Sequence, residues 1–183
     1  MPSTRLAPHQ RSQRGITLIE ACTVLAITAV LAASAAPGMQ ELIAGRRLEA
    51  TATQLATDIQ LTRAAAVARN QALRLSFHKR KDGSCYVIHT GAVDQCDCSG
   101  SGPAVCTSGA REIKTVIVST ADQVSVVANV GSVLFDPMHG TSSPTGTLRV
   151  IGATGREVRH VINVMGRVRS CSPAPSVPGY RVC

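Results

Sequence analysis

Residues 14–38 read RGITLIEACTVLAITAVLAASAAPG, and one of them is out of place. From Ile16 to Ala36 the chain is apolar for 21 residues, about 30 Å as a helix, which matches the hydrocarbon thickness of a bilayer. Glu20 lies inside that run. A carboxylate in hydrocarbon costs on the order of several kcal/mol unless a partner neutralises it. The basic residues ahead of the segment (Arg5, Arg11, Arg14) and the small residues Ala33-Ser34-Ala35 within it are compatible with a secretory signal peptide. A plain single-pass anchor is equally compatible. Neither reading gives Glu20 a purpose.

Beyond this segment the chain has room for one folded domain. Two Tyr, two Phe and no Trp are present in 183 residues, so Val, Ile, Leu and Ala must build the core. The formal charge is +8, and it is unevenly distributed. Residues 16–140 carry ten basic and ten acidic side chains. Residues 141–183 carry Arg149, Arg156, Arg159, Arg167, Arg169 and Arg181 against Glu157 alone. Such local asymmetry points to a polyanionic partner or to a solvated basic face.

Six of the seven cysteines follow the apolar segment: Cys85, Cys96, Cys98, Cys106, Cys171 and Cys183. An even number in a loop-rich domain beyond a membrane signal reads as disulfides in an oxidising compartment. Spacing suggests a Cys171–Cys183 bridge closing the Pro-rich tail, leaving the other four to pair in one of three ways. Zinc is the alternative for those four, disfavoured because CDCSGSGPAVC lacks paired C-x2-C spacing.

From Met39 to about Asn70, Leu48, Ala52, Leu55, Ile59 and Ala66 recur at helical spacing, while Thr57 and Gln60 fall on other faces. This predicts an amphipathic helix over 39–70 with its apolar stripe laid on a sheet. After Asn70 the period becomes two. Leu73, Leu75 and Phe77 alternate with Arg74, Ser76 and His78, and the Asp82-Gly83 turn leads into a returning strand at 85–90. Residues 91–110 form a Gly-, Ser- and Cys-rich surface loop. Further strands are predicted near 111–119, 123–129, 132–136, 146–151, 157–164 and 167–170. His78 is placed on a solvent-facing strand side.

Catalytic patterns are absent. His78, His89, His139 and His160 are scattered without H-E-x-x-H or a nucleophile elbow. Asp136, His139 and Ser142 lie close in sequence, which is not the geometry of a triad. No enzyme activity, resident metal or cofactor is expected.

The Gly15-Ile16-Thr17-Leu18-Ile19-Glu20 stretch resembles the signal of type IV pilins and type II secretion pseudopilins, with Ile16 where that family usually has Phe. The resemblance implies that a prepilin peptidase cuts between Gly15 and Ile16 and methylates the Ile16 amine, removing residues 1–15. Segment 16–38 would remain as a transmembrane and assembly helix, and Pro37-Gly38 would match a helix-loosening proline. The new amine gives Glu20 a counter-charge on a neighbouring subunit, so the acid becomes a register peg. Residues 39–183 would form a periplasmic or extracellular globular domain, its β-rich part spanning 71–183.

VLFDPMHG (133–140) and VINVMGRVRSC (161–171) further resemble the closing half of the GspH/FimT family of minor pilins and pseudopilins. That implies an α+β fold: a long N-terminal helix packed on an antiparallel sheet or sandwich of about eight strands. FimT-like members bind DNA during natural transformation through a Gly-Arg-x-Arg motif, which Gly166, Arg167, Val168 and Arg169 match. On a strand, Arg167 and Arg169 share one face, roughly 7 Å apart. Their planar forks suit phosphate oxygens. Arg149, Arg156, Arg159 and Arg181 would extend the surface, and scarce aromatics imply backbone contacts of low sequence specificity. The expected partners are other pilin subunits, DNA, the peptidase and the inner membrane, with later exposure in a pilus. Two other readings stay open: an H-type pseudopilin of a type II secretion system, and a minor pilin for assembly or adhesion without DNA. GRVR also reads as a plain hairpin turn carrying two solvated arginines.

Overall fold

The computed structural model describes residues 15, 17–107, 109–175 and 177–183. The expected leader before Gly15, and Ile16 itself, lie outside the described residues. The chain divides into two compact units, Met1–Gln40 and Glu41–Cys183. A single helix, α1 (Leu18–Ala68), contributes to both.

In the first unit, Thr17 stands just before the helix, and its Oγ1 accepts the Glu20 N–H at 3.3 Å. Thr-x-x-Glu at this point is half of a capping box, and an acid in the first turn also faces the positive helix end. The capping bond uses the Glu20 backbone N–H, and the helix dipole is what favours its carboxylate locally. The helix is long and apolar enough to cross a membrane. Pro37 and Gly38 lie inside it and do not end it. Proline removes a single i→i−4 bond, and the turns on either side retain theirs.

In the second unit the predicted stripe is fully realised: Leu48, Ala52, Leu55, Ile59 and Ala66 are all buried. Asp58 is buried beside them. Its carboxylate accepts from the Tyr86 hydroxyl at 2.8 Å, Gln54 Nε2 at 3.0 Å and Lys114 Nζ at 2.6 Å. Three donors, one of them cationic, compensate for the lost water and peg the helix to the sheet. The helix ends in a Schellman turn, with Gln71 N–H on the Ala66 carbonyl and Asn70 at φ 48°.

Among the described residues twelve strands follow, four of them two-residue pieces: β1 (Leu73–Arg80), β2 (Gly83–His89), β3 (Cys96–Asp97), β4 (Val105–Cys106), β5 (Glu112–Ser119), β6 (Val124–Ala128), β7 (Ser132–Phe135), β8 (Ser142–Ser143), β9 (Gly146–Gly152), β10 (Glu157–Ile162), β11 (Val168–Ser172) and β12 (Arg181–Val182). The eight longer strands are those predicted. They form two sheets, ordered β5-β2-β1-β7-β8 and β12-β11-β10-β9-β6, with β3 and β4 as a separate ribbon. Both inner faces meet the helix stripe in one core, whose largest buried side chains are Tyr86 and Phe135 beside the expected aliphatics.

The sheets are antiparallel except at β12, which runs parallel to β11. The chain returns after β11 to place β12 beside it, where Cys183 N–H donates to the Ser172 carbonyl and Cys183 bonds to Cys171. A parallel neighbour requires such a crossover.

The other four cysteines of this unit pair as Cys85–Cys98 and Cys96–Cys106, which leaves none of them as a thiolate for zinc. The expected surface loop is thereby folded onto the outer face of the first sheet. Cys85, Val87, Cys96 and Cys98 form a small second core there. His89 is fully buried beneath it, on Ser76 Oγ and the Thr90 carbonyl, each at 2.9 Å. The same cover corrects the placement of His78, which is half-buried with Nδ1 3.2 Å from Asp97 rather than solvent-facing.

Candidate nucleic-acid interface

The β10–β11 hairpin pairs Ile162 with Val168 and Val161 with Arg169, leaving residues 163–167 as the connection. Asn163 organises it. Its carbonyl accepts the Gly166 N–H at 2.8 Å, its side chain accepts the Arg167 N–H at 2.9 Å, and its own N–H donates to the Arg167 carbonyl at 3.1 Å. Gly166 adopts φ +68° at the bulge position of a tight hairpin turn. A Cβ there would meet the Gly140 carbonyl oxygen at 2.3 Å, so only glycine lets the 136–141 turn approach this closely.

Arg63 of α1 lies between the two turns. Its Nε donates to the Gly140 carbonyl at 2.8 Å, and it lines a cavity of about 330 Å³ with Gln60, Gly166, Arg167 and Val168. Sequence reasoning missed Arg63. Its one signal is position: four residues beyond Ile59, it borders the buried stripe and must reach past it.

Along β9, β10 and β11, side chains alternate between core and exterior. Leu148, Val150, Val158, His160 and Ile162 point inward. Outward, one cross-strand row runs Arg149, Arg159, Cys171, Arg181, and the next runs Thr147, Val161, Arg169. Four of the six proposed arginines (Arg149, Arg159, Arg169 and Arg181) therefore share this face, and Arg167 adjoins it at the turn. Arg156 does not join them. It lies in the β9–β10 turn and pairs with Glu41 of the helix.

Their charges are unequal in effect. Arg149 grips Glu157 through two bonds, 2.8 and 2.9 Å, and Arg159 Nε reaches the same carboxylate at 2.5 Å. Hydrogen bonds from Arg149 hold the Glu157 carboxyl below its usual range, so it stays ionised and absorbs part of both charges. Arg167, Arg169 and Arg181 have no carboxylate partner among the described residues. Arg167 and Arg169 are exposed on either side of Val168.

No catalytic arrangement emerges among the described residues. His139 approaches Asp136, but the Ser142 hydroxyl donates to the Asn163 carbonyl at 2.6 Å. Among the described residues, no group of three or more His, Cys, Asp or Glu is placed to hold a metal.

The family model described as Type II transport protein GspH matches residues 51–166. The chain belongs to the GspH family. That family is structural and non-enzymatic, of the pilin and pseudopilin kind. Two crystal forms of the Pseudomonas aeruginosa type IV minor pilin FimU are similar in structure. One shares 19% identity over 68% of this chain and 87% of its own, with a TM-score of 0.49. The other shares 18% over 67% and 90%, also at 0.49. No curated protein matches by sequence. The matched region takes in the last third of α1, the first sheet, and β6, β9 and β10 of the second, and it ends at Gly166, before β11 and β12.

Proposed function

We propose that this GspH-family protein is a FimT-like minor pilin that captures DNA on the outer face of its C-terminal sheet. The observation that carries the reading is a pair of exposed arginines, Arg167 and Arg169, without a carboxylate partner among the described residues and set two residues apart beside a turn that only glycine can form. Guanidinium groups so placed reach successive backbone phosphates without reading base edges. Arg181 extends the contact in a neighbouring row, while Arg149 and Arg159 contribute less because Glu157 holds them. Arg156 is left out of the contact by its pairing with Glu41.

The first unit supplies the assembly half of the proposal. Cleavage between Gly15 and Ile16 by a prepilin peptidase leaves a single-pass inner-membrane protein, with a methylated amine at Ile16. Glu20 then meets a neighbour's amine when subunits enter the filament and emerge at the surface. Mass spectrometry of the mature chain tests this: a start at Ile16 supports it, and a start near Ala36 refutes it.

DNA binding is tested with the Glu41–Cys183 unit across a salt series. Binding of low sequence specificity is expected, weakening linearly on log–log axes. No binding at low salt would shift the reading to the H-type pseudopilin of a secretion system, which the description of the matching family favours.

A further inference from the structure

Two turns stand side by side where α1 ends: 136–141, and 163–167 bearing the arginine motif. Both are built rigidly. Asp136 Oδ1 accepts the backbone N–H groups of Met138 and His139, at 3.0 and 2.8 Å, and the Asp136 carbonyl takes the Gly140 N–H at 2.9 Å. Ser142 locks one turn to the other, its N–H on the Val164 carbonyl and its hydroxyl on the Asn163 carbonyl. Turns of this kind ordinarily present Asn, Asp, Ser or Gly. These present Met138, Val164 and Met165, which are 76%, 60% and 58% exposed.

Large apolar side chains held in water by a fixed scaffold indicate a contact. Its size and surroundings select the partner. Three side chains offer a few hundred Å² at most, below the ~1,000 Å² of a stable protein interface. Cations rim the tip: Arg167 in the turn itself, Arg169 on the adjoining β11, and Arg63 between the turns. A narrow apolar projection flanked by guanidinium groups is complementary to the minor groove of duplex DNA, about 6 Å wide and bordered by phosphates. Methionine and other aliphatic side chains can wedge between base pairs there, unstacking a step and bending the helix.

We infer that Val164 and Met165 form an apolar wedge entering the minor groove of duplex DNA while Arg167 and Arg169 hold the flanking phosphates. This rests on the DNA-binding reading above. It adds that the bound DNA is double-stranded, is bent, and is engaged preferentially at easily unstacked pyrimidine–purine steps.

The test uses the full chain in non-ionic detergent with a short duplex carrying a fluorophore pair at its ends, across a salt series. Wild type should shorten the end-to-end distance. The Val164→Ser/Met165→Ser variant should bind about tenfold more weakly, the order expected from losing partial burial of two apolar side chains, with an unchanged salt slope and no bend. Arg167→Ala should lower the slope by about one and keep the bend. Met165→Leu, which preserves the apolar tip, should behave as wild type. The wedge is overturned if wild type binds without bending, or if the double variant retains affinity and bend. It is equally overturned if the double variant binds DNA normally but fails to enter filaments, which would make the tip a protein contact. In each of these outcomes DNA binding itself stands. Absence of DNA binding by wild type removes both the wedge and the function on which it rests.

Discussion

The two sheets share a core and differ in their outer faces. In the first sheet that face is closed: a loop stapled by Cys85–Cys98 and Cys96–Cys106 lies over it and buries His89 and Val87. In the second it is open and lined by Arg149, Arg159, Arg169 and Arg181, with a single disulfide at its edge. Two basic residues of the first sheet serve internal contacts, while Lys79 is exposed. Arg80 is nearly buried on Asp82 and the Cys98 carbonyl, and Lys114 is paired with Asp58. The second sheet leaves Arg167, Arg169 and Arg181 without carboxylates among the described residues. Cross-links add stability where a polar loop has too few apolar residues to hold itself down. Guanidinium groups remain at the surface because their burial costs more than any packing returns. One face thus serves stability and the other is available to a partner.

The largest expected effect lies on the closed face. Cys96→Ser with Cys106→Ser should lower unfolding free energy by about 2–4 kcal/mol in urea melts, while DNA affinity under folded conditions stays the same. A parallel loss of affinity would mean that the two faces are not independent.

Acid should then show that the faces share one core. Burial pushes His160, on the inner side of the open sheet, down to about 4, and lowers His89 beneath the closed loop. The unfolded chain takes up these protons first, near an ordinary histidine value of about 6.5. Stability is therefore fully present above that pH and declines as pH falls toward the folded values. His160 alone accounts for a loss on the order of 3 kcal/mol by pH 4. Fluorescence of Tyr86 and circular dichroism should report one coincident transition, and His160→Gln should flatten the pH dependence. Two separate transitions would divide the sheets into independent folding units.

On the open face, Arg167→Ala with Arg169→Ala should leave stability within about 0.5 kcal/mol while lowering DNA affinity and reducing the log–log salt slope by about two. An unchanged slope would reduce the motif to a solvated hairpin turn. The smallest effect has the opposite sign. Glu157→Gln should raise affinity by a few fold, because Arg149 and Arg159 lose the carboxylate that occupies them. Weaker binding would show instead that Glu157 orients the two arginines for phosphate.

Much of this was legible in the chain because periodicity is a local property. Leu48, Ala52, Leu55, Ile59 and Ala66 repeat at helical spacing and are all buried, and the alternation around Leu73, Leu75 and Phe77 lies on a strand. The Cys171–Cys183 bridge closes a short tail and was readable from spacing. Two-residue strands such as β8 and β12 carry no period to read. His78 was misplaced because alternation reports which side of a strand a residue occupies, and not what covers that side. Arg156 was grouped with the other arginines on net charge, which does not reveal that Glu41 of the distant helix claims it.

The amino-acid order by itself determined the apolar segment with its lone acid, the helix stripe, the eight main strands and the basic C-terminal quarter, since each depends on residues within a few positions of one another. Only the tertiary structure decided how Cys85, Cys96, Cys98 and Cys106 pair, which sheet face is covered, and which arginines remain without a counter-charge. Those outcomes depend on groups brought together from 8 to more than 100 positions apart, such as Arg149 with Glu157 and Arg156 with Glu41. The range of a charge or a disulfide is set by distance in space, and chain separation does not encode it.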